Sequence, residues 1–408
     1  YQDKKVFPKI IASTATIKKA PDQIHSLFVR KAFIFPPAGL DIEDNFFSLQ
    51  KRPCPQSPGR IYLGICAPGR RFKVALMRTY ISLLSATQAM LNKYGKLADP
   101  WMTLVGYFTS LRELGGMSRI VGDTISARLK EMKRIGMTPR KIGTWGVKEM
   151  TSRLHSTELP EVLDRLEQEF PDPTAPKQQK IQKNIPVSKQ PVDVLLATNM
   201  ISVGVDVRRL GTMVVAGQPK TTAEYIQATS RVGRSSPGIV CTVYNWARPR
   251  DISHYENFEH YHSTFYKYVE PLSVTPFAPR ALDRGLSAVL VALVRLSGFT
   301  YNPNDGANHI KNKSHKEILK AKDEILARAQ KVLPHLNSQV LEAMVEERLE
   351  HWIHLAGNPN FTLGYKTQRD GKTLGLLKAP GLGSWELFTC PHSLRNVEPM
   401  IPLILEWK

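Results

Sequence analysis

The chain has 408 residues, 56 Lys+Arg against 36 Asp+Glu, and a formal charge of +20. A hydrophobic content of 42% suits an ordinary folded core and argues against global disorder. Four cysteines without a CxxC pair exclude a disulfide scaffold and give a structural zinc site no support. The longest apolar run, Leu286 to Val294, falls short of the ~20 residues that span a bilayer, so no membrane partner is expected. With no leader at the start, a reducing, cytoplasmic location is the expectation. The charge is uneven. Residues 51–150 hold 18 Lys+Arg and 5 Asp+Glu, which is +13 of the +20. Such a balance points to a polyanion, most often nucleic acid, against the plainer alternative of a solvated basic face. The opening on Tyr1 rather than Met suggests a piece of a longer protein.

In chain order, Lys9 to Ala12 reads as a short buried strand and Ser13-Thr-Ala-Thr16 as the turn at its end. Residues 18–59 are Pro-rich and irregular, and read as a linker or connection. Ile61 to Cys66 is a strand, Phe72 to Tyr94 an amphipathic helix, and Met102 to Phe108 the next strand. Ser110 is placed to cap a helix from Leu111. Lys141 to Val147 reads as extended, and Pro160 opens a helix through Phe170. Residues 171–191 hold five prolines and no aromatic, and read as a flexible insertion. Val192 to Ala197, Thr212 to Ala216 and Ile239 to Tyr244 are strands, with a helix from Thr221 to Gln227. The βαβα alternation over 60–250 predicts an α/β fold, a parallel sheet with helices on both faces. Four helices are expected over 251–270, 280–297, 315–333 and 338–356, as a helical accessory region. Met400 to Leu405 could form an edge strand.

The densest chemistry lies at 197–234. Thr198 ends a buried strand, so its hydroxyl meets the carboxyl edge of the sheet, where such sheets bind ligands. Gly204 permits a tight turn. Asp206 can accept from a ribose hydroxyl or orient an arginine. Gln227 precedes Arg231 and Arg234, whose spacing puts them near one face of a helix or the loop ending it. Two fixed cations there can clamp a transferring phosphoryl group.

Thr198…Gly204-Val-Asp206 and Gln227-Ala-Thr-Ser-Arg231-Val-Gly-Arg234 resemble motifs V and VI of superfamily 2 helicases. Ser230 stands where that family usually has glycine. Ser13-Thr-Ala-Thr16 resembles motif III, and Leu104 to Arg112 resembles motif IV. Phe35 to Asp41, Gly217 to Tyr225, Tyr244 to Asp251, Leu272 to Phe277 and Ser393 to Pro399 narrow the likeness. They are similar to the helicase-like subunits of DISARM anti-phage defence systems. The resemblance implies a RecA-like second lobe over 60–250, residues 1–17 as the end of a first lobe, and an accessory region over 251–408. It implies an ATP-dependent DNA helicase or translocase. ATP and Mg2+ would be held mainly by an amino-terminal lobe outside this chain, with Arg231, Arg234 and Gln227 catalytic and Gly204 and Asp206 at the nucleotide. Thr16, Thr109, Ser110, Arg112, Arg153, Thr198, Arg248 and Arg250 would meet DNA, as a single strand. The implied partners are that lobe and a second defence subunit, DrmB.

No phosphate cradle GxxxxGK[ST] is present. Gly371-Lys-Thr373 lacks its first glycine, because Lys366 stands there, and Asp323-Glu324 lies in a lysine-rich helical pattern. By this reading the chain alone is inactive. A DNA-binding scaffold that kept the fold without the catalysis is the alternative. The aromatic stretch 254–268 could stack bases. Yet Tyr255, Phe258, His262 and Phe265 form a core-like helical stripe, which leaves Tyr261 and Tyr268 as the exposed candidates. Its histidines lack a carboxylate or cysteine at ligand spacing, so no metal is expected.

Overall fold

The computed structural model describes residues 8–391 apart from 15, 38, 42, 153, 155–157, 176–185, 203–205, 273 and 381–383. Gly204, Arg153, part of the 171–191 insertion and the apolar tail at 400–405 therefore lie outside the described residues. Two compact units divide the chain. One comprises Tyr1–Lys18 and Ala38–Pro271, the other Lys19–Pro37 and Leu272–Lys408.

The first unit is built on six strands: β1 Arg60–Cys66, β2 Leu104–Phe108, β3 Val147–Met150, β4 Val194–Ala197, β5 Thr212–Ala216 and β6 Gly238–Tyr244. They pair in the order β1-β6-β5-β2-β4-β3, every pair parallel. The inner strands β2, β4 and β5 are buried at every position. Their near-continuous apolar runs follow from burial on both faces. Successive side chains alternate between two cores. Leu104, Phe108, Leu196 and Val214 pack with Leu76, Leu84 and Leu129 on one side. Val105, Tyr107, Leu195 and Val215 pack with Val162, Leu166, Tyr225 and Ala228 on the other. This is the RecA-like α/β architecture expected of the sequence.

Local signals set the helix starts. Ser110 caps Leu111–Ile120 by accepting from the Glu113 amide at 3.3 Å. Thr221 caps Thr222–Thr229 by accepting from the Glu224 amide at 3.1 Å. The Glu270 carboxylate takes the Thr222 amide at 2.8 Å, a favourable charge at a helix N-terminus.

Three expectations need correction. Lys9 to Ala12 is exposed and forms no strand, and Ile11 is 84% exposed. It has no ladder partner among the described residues, and an unpaired segment gains nothing from extension. The strand expected at 141–147 starts at Val147, because the preceding loop wraps around the Asp193 carboxylate instead of pairing. The helix expected over 251–270 is cut into Pro249–Glu256, Phe258–Ser263 and a short turn at Phe265–Tyr268. The break at Asn257 shifts the phase, so Tyr261 is buried at 5% exposure while Tyr255 and Tyr268 are exposed.

In the second unit, helices Pro279–Arg295, Lys316–Val332 and Ser338–Ala356 enclose Leu290, Val294, Ile325, Val345, Leu349 and Trp352. The Trp352 indole donates to the Ala307 carbonyl at 2.9 Å. Two three-residue parallel strands, Thr362–Gly364 and Thr373–Gly375, close it. Asp323 and Glu324 are exposed on their helix. Gly371 (φ +70°) sits in a turn where Asp370 takes the Lys372 and Thr373 amides at 3.0 and 2.9 Å. Both are ordinary local structure. Among the described residues no helix is long and apolar enough to cross a membrane.

Candidate nucleotide and nucleic-acid site

Two groups of the expected residues occupy opposite ends of the parallel strands. Thr109 and Ser110 follow β2, and Thr198 follows β4, at the carboxyl edge. Thr198 is 7% exposed, and its amide donates to the Met150 carbonyl at 3.2 Å, which ties the ends of β3 and β4 together. Arg112 is exposed on the first turn of the helix that Ser110 caps.

The helix Thr222–Thr229 runs back from this edge, so residues 230–234 come to the amino-terminal end of β5 and β6. Gly233 makes that turn possible. Its φ is +72°, and its amide donates to the Leu210 carbonyl at 2.8 Å. A Cβ on it would lie 2.8 Å from the Cα of Gly238, so both conformation and space demand glycine. The Val232 carbonyl just before accepts from Arg60 Nε at 2.9 Å.

This turn presents the two arginines. Arg231 Nη2 donates to the Ser202 carbonyl. Arg234 Nη1 pairs with Asp206 Oδ1, and its Nε donates to the Ser230 carbonyl at 3.1 Å. Asp206 thus orients an arginine, one of the two roles expected of it. Burial lowers the Arg231 guanidinium from its ordinary value, the neighbouring Arg234 charge adds to this, and Asp206 opposes it. Gln227 Nε2 donates to Thr16 Oγ1 at 2.6 Å, and Thr16 is 4% exposed. Thr16, expected beside nucleic acid, therefore sits with the arginine group. Ser230 fits where glycine was expected, its hydroxyl donating to the Gln227 carbonyl at 3.0 Å.

Arg248 and Arg250 follow β6 but are already engaged. Arg248 Nη2 pairs with Glu113 at 2.7 Å. Arg250 donates to the Pro219 and Lys220 carbonyls, the latter at 2.8 Å, and so pins the loop after β5. No sequence signal points to this, because the acceptors are main-chain atoms about thirty positions away. Among the described residues no group of three or more His, Cys, Asp or Glu could hold a metal ion.

The aromatic stretch is divided: Tyr261 is buried, Phe258, His262 and Phe265 are half-buried, and Tyr255, Tyr266 and Tyr268 are exposed. His262 Nε2 meets the Tyr225 hydroxyl at 2.8 Å, on the helix that carries Gln227, and its ring lies 4.0 Å from that of Phe258. Burial is the main cause lowering the pKa of both His254 and His262. A proton therefore binds the unfolded chain better than the folded one. The stability that the neutral rings supply is complete above their unfolded pKa of about 6.5 and is lost as pH falls below it. Melting curves between pH 8 and 5 should show that loss, and His262→Gln should flatten it. An unchanged pH profile in His262→Gln would refute the assignment.

The chain is similar to several known proteins. Residues 172–236 match the helicase conserved C-terminal domain. The chain is 43% identical over 352 residues to the DISARM protein DrmA of Bacillus paralicheniformis, covering 86% of the chain and 30% of DrmA. It therefore spans about a third of that relative's length. Among solved structures, the DUF1998 helicase MrfA bound to DNA aligns at 14% identity and TM-score 0.37, over 65% of this chain and 30% of MrfA. The Mycobacterium smegmatis helicase Lhr bound to ssDNA and AMP-PNP aligns at 11% identity and TM-score 0.37, over 71% of this chain and 29% of Lhr. The chain thus carries a match to the helicase conserved C-terminal domain and is similar to DrmA over most of its own length.

Proposed function

We propose that this chain is the second RecA-like lobe and accessory region of an ATP-dependent DNA translocase or helicase of anti-phage defence. The observation that carries the reading is the group Arg231, Arg234, Asp206, Gln227 and Thr16, assembled by the turn at Gly233. ATP would lie between this lobe and a first lobe elsewhere in the full-length protein, which would also hold Mg2+. The cationic pair suits the triphosphate, where Mg2+ and the arginines would neutralise charge developing on the transferred phosphoryl group. The Arg234 side chain is 29% exposed and that of Asp206 65%. Such a pair is worth about 0–1 kcal/mol, so releasing Arg234 to a phosphate costs little.

At the carboxyl edge, Thr109, Ser110, Thr198 and Arg112 would meet the backbone of a DNA single strand. DrmB is proposed as a partner subunit on the DISARM likeness alone. The nucleic-acid half of the reading is tested by titrating a single strand at several salt concentrations. Log affinity should fall with log salt, by a slope of about 0.7 per phosphate neutralised. A flat response would count against it.

A further inference from the structure

The loop Gly143–Gly146 enters the sheet at the amino-terminal end of β3, its edge strand, and carries Trp145 at 54% exposure. The loop is built around a buried ion pair. Asp193 Oδ1 binds Arg140 at 2.8 Å, while Oδ2 takes the Gly143 amide at 3.0 Å. The Gly146 amide closes onto the Gly143 carbonyl at 2.9 Å. A Cβ on Gly146 would lie 2.1 Å from Asp193 Oδ2, so only glycine fits. Arg165 Nη2 donates to the Trp145 carbonyl at 2.7 Å. The main chain is thus held from inside, and the indole is left at the surface on a preorganised support.

Exposed cations line the segments that lead into the loop. Arg128, Lys130, Lys133, Arg134 and Lys141 are all exposed. The Arg140 amide donates to the Leu129 carbonyl at 3.3 Å, which lays the segment leading into the loop beside helix Ser126–Glu131. Lys141 and Lys130 therefore follow adjacent positions. Glu131 is the one acidic residue between 124 and 148, and it pairs with Arg134 at 3.7 Å. Among the described residues, no carboxylate lies within ion-pair distance of Lys130, Lys133 or Lys141.

We infer that Trp145 with Lys130, Lys133 and Lys141 is a second contact for single-stranded nucleic acid, with a base stacked on the indole and phosphates on the ammonium groups. A single strand fits better than a duplex because its bases offer free π-faces. The ligand class rests on the proposed nucleic-acid reading. The place does not, since this loop and Thr198 lie at opposite ends of the strands.

The test is an anisotropy titration of a labelled oligothymidylate against the 408-residue chain at several salt concentrations. Trp145→Ala should weaken binding by about five- to a hundred-fold, and Trp145→Phe should retain most of it. A triple Lys130→Gln, Lys133→Gln, Lys141→Gln variant, which touches no buried group, should reduce the salt slope by about 2. Unchanged affinity and slope in these variants overturn the inference, and leave the carboxyl-edge reading standing if Arg112→Ala still weakens binding. Weakening by the loop variants with none by Arg112→Ala supports the loop and sinks the carboxyl-edge track. A blunt duplex bound as tightly as the single strand, with the same Trp145 dependence, overturns the stacking. A chain that binds no single strand at any salt overturns both.

Discussion

In the proposed reading, Arg234→Ala in the full-length protein should lower ATP turnover by about 10³-fold or more, as loss of an arginine finger does in other phosphoryl-transfer systems. DNA affinity should change little, because Arg234 stands at the amino-terminal end of β5 and β6, away from Thr109, Ser110 and Thr198 and separated from the loop before β3 by β2 and β4. The folded lobe should also tolerate the change. The bond lost is a partly exposed pair with Asp206, worth little to stability. The check is a steady-state ATPase assay beside a DNA titration and a melting curve. Near-normal turnover in Arg234→Ala would show that the arginine does not act on phosphate.

Asp193→Ala has the largest expected effect on stability. It destabilises the chain by about 3–5 kcal/mol, because it strands a buried guanidinium. The Arg140 side chain is 1% exposed and that of Asp193 10%, and Arg140 also donates to Thr87 Oγ1 at 3.0 Å and to the Met102 carbonyl at 2.8 Å. Burial already lowers the Arg140 guanidinium, and Asp193 is what opposes it. The Gly143 amide loses its acceptor as well. Urea unfolding measures the difference. A loss under about 1 kcal/mol would mean that water or a relaxed loop replaces the carboxylate.

The sheet was legible because parallel strands buried on both faces are near-continuous apolar runs, as Met213 to Ala216 is. The helix Phe72–Tyr94 and the Ser110 cap followed from periodicity and local capping chemistry. The arginine group was legible as a motif, and its assembly from distant segments was not. Gln227 meets Thr16 across 211 positions, which spacing along the chain does not encode. The buried pairs were equally hidden. Arg140 and Asp193 are 53 residues apart, Asp99 and Arg209 110. Each looks like one more surface charge in the sequence. The aromatic stripe misled for a local reason. A single break at Asn257 turned Tyr261 inward, where it bonds Gln218 and Thr222.

In the proposed reading this lobe completes an ATP site whose other wall lies elsewhere in the full-length protein. The most direct measurement is ATP hydrolysis by the 408-residue chain and by the full-length protein, each with and without single-stranded DNA. The expected outcome is silence from the chain, DNA-stimulated turnover from the full-length protein, and loss of that turnover in Arg234→Ala. Turnover by the chain alone would contradict it. So would a silent full-length protein that still binds DNA in a salt-dependent way, which would make the lobe a nucleic-acid-binding scaffold.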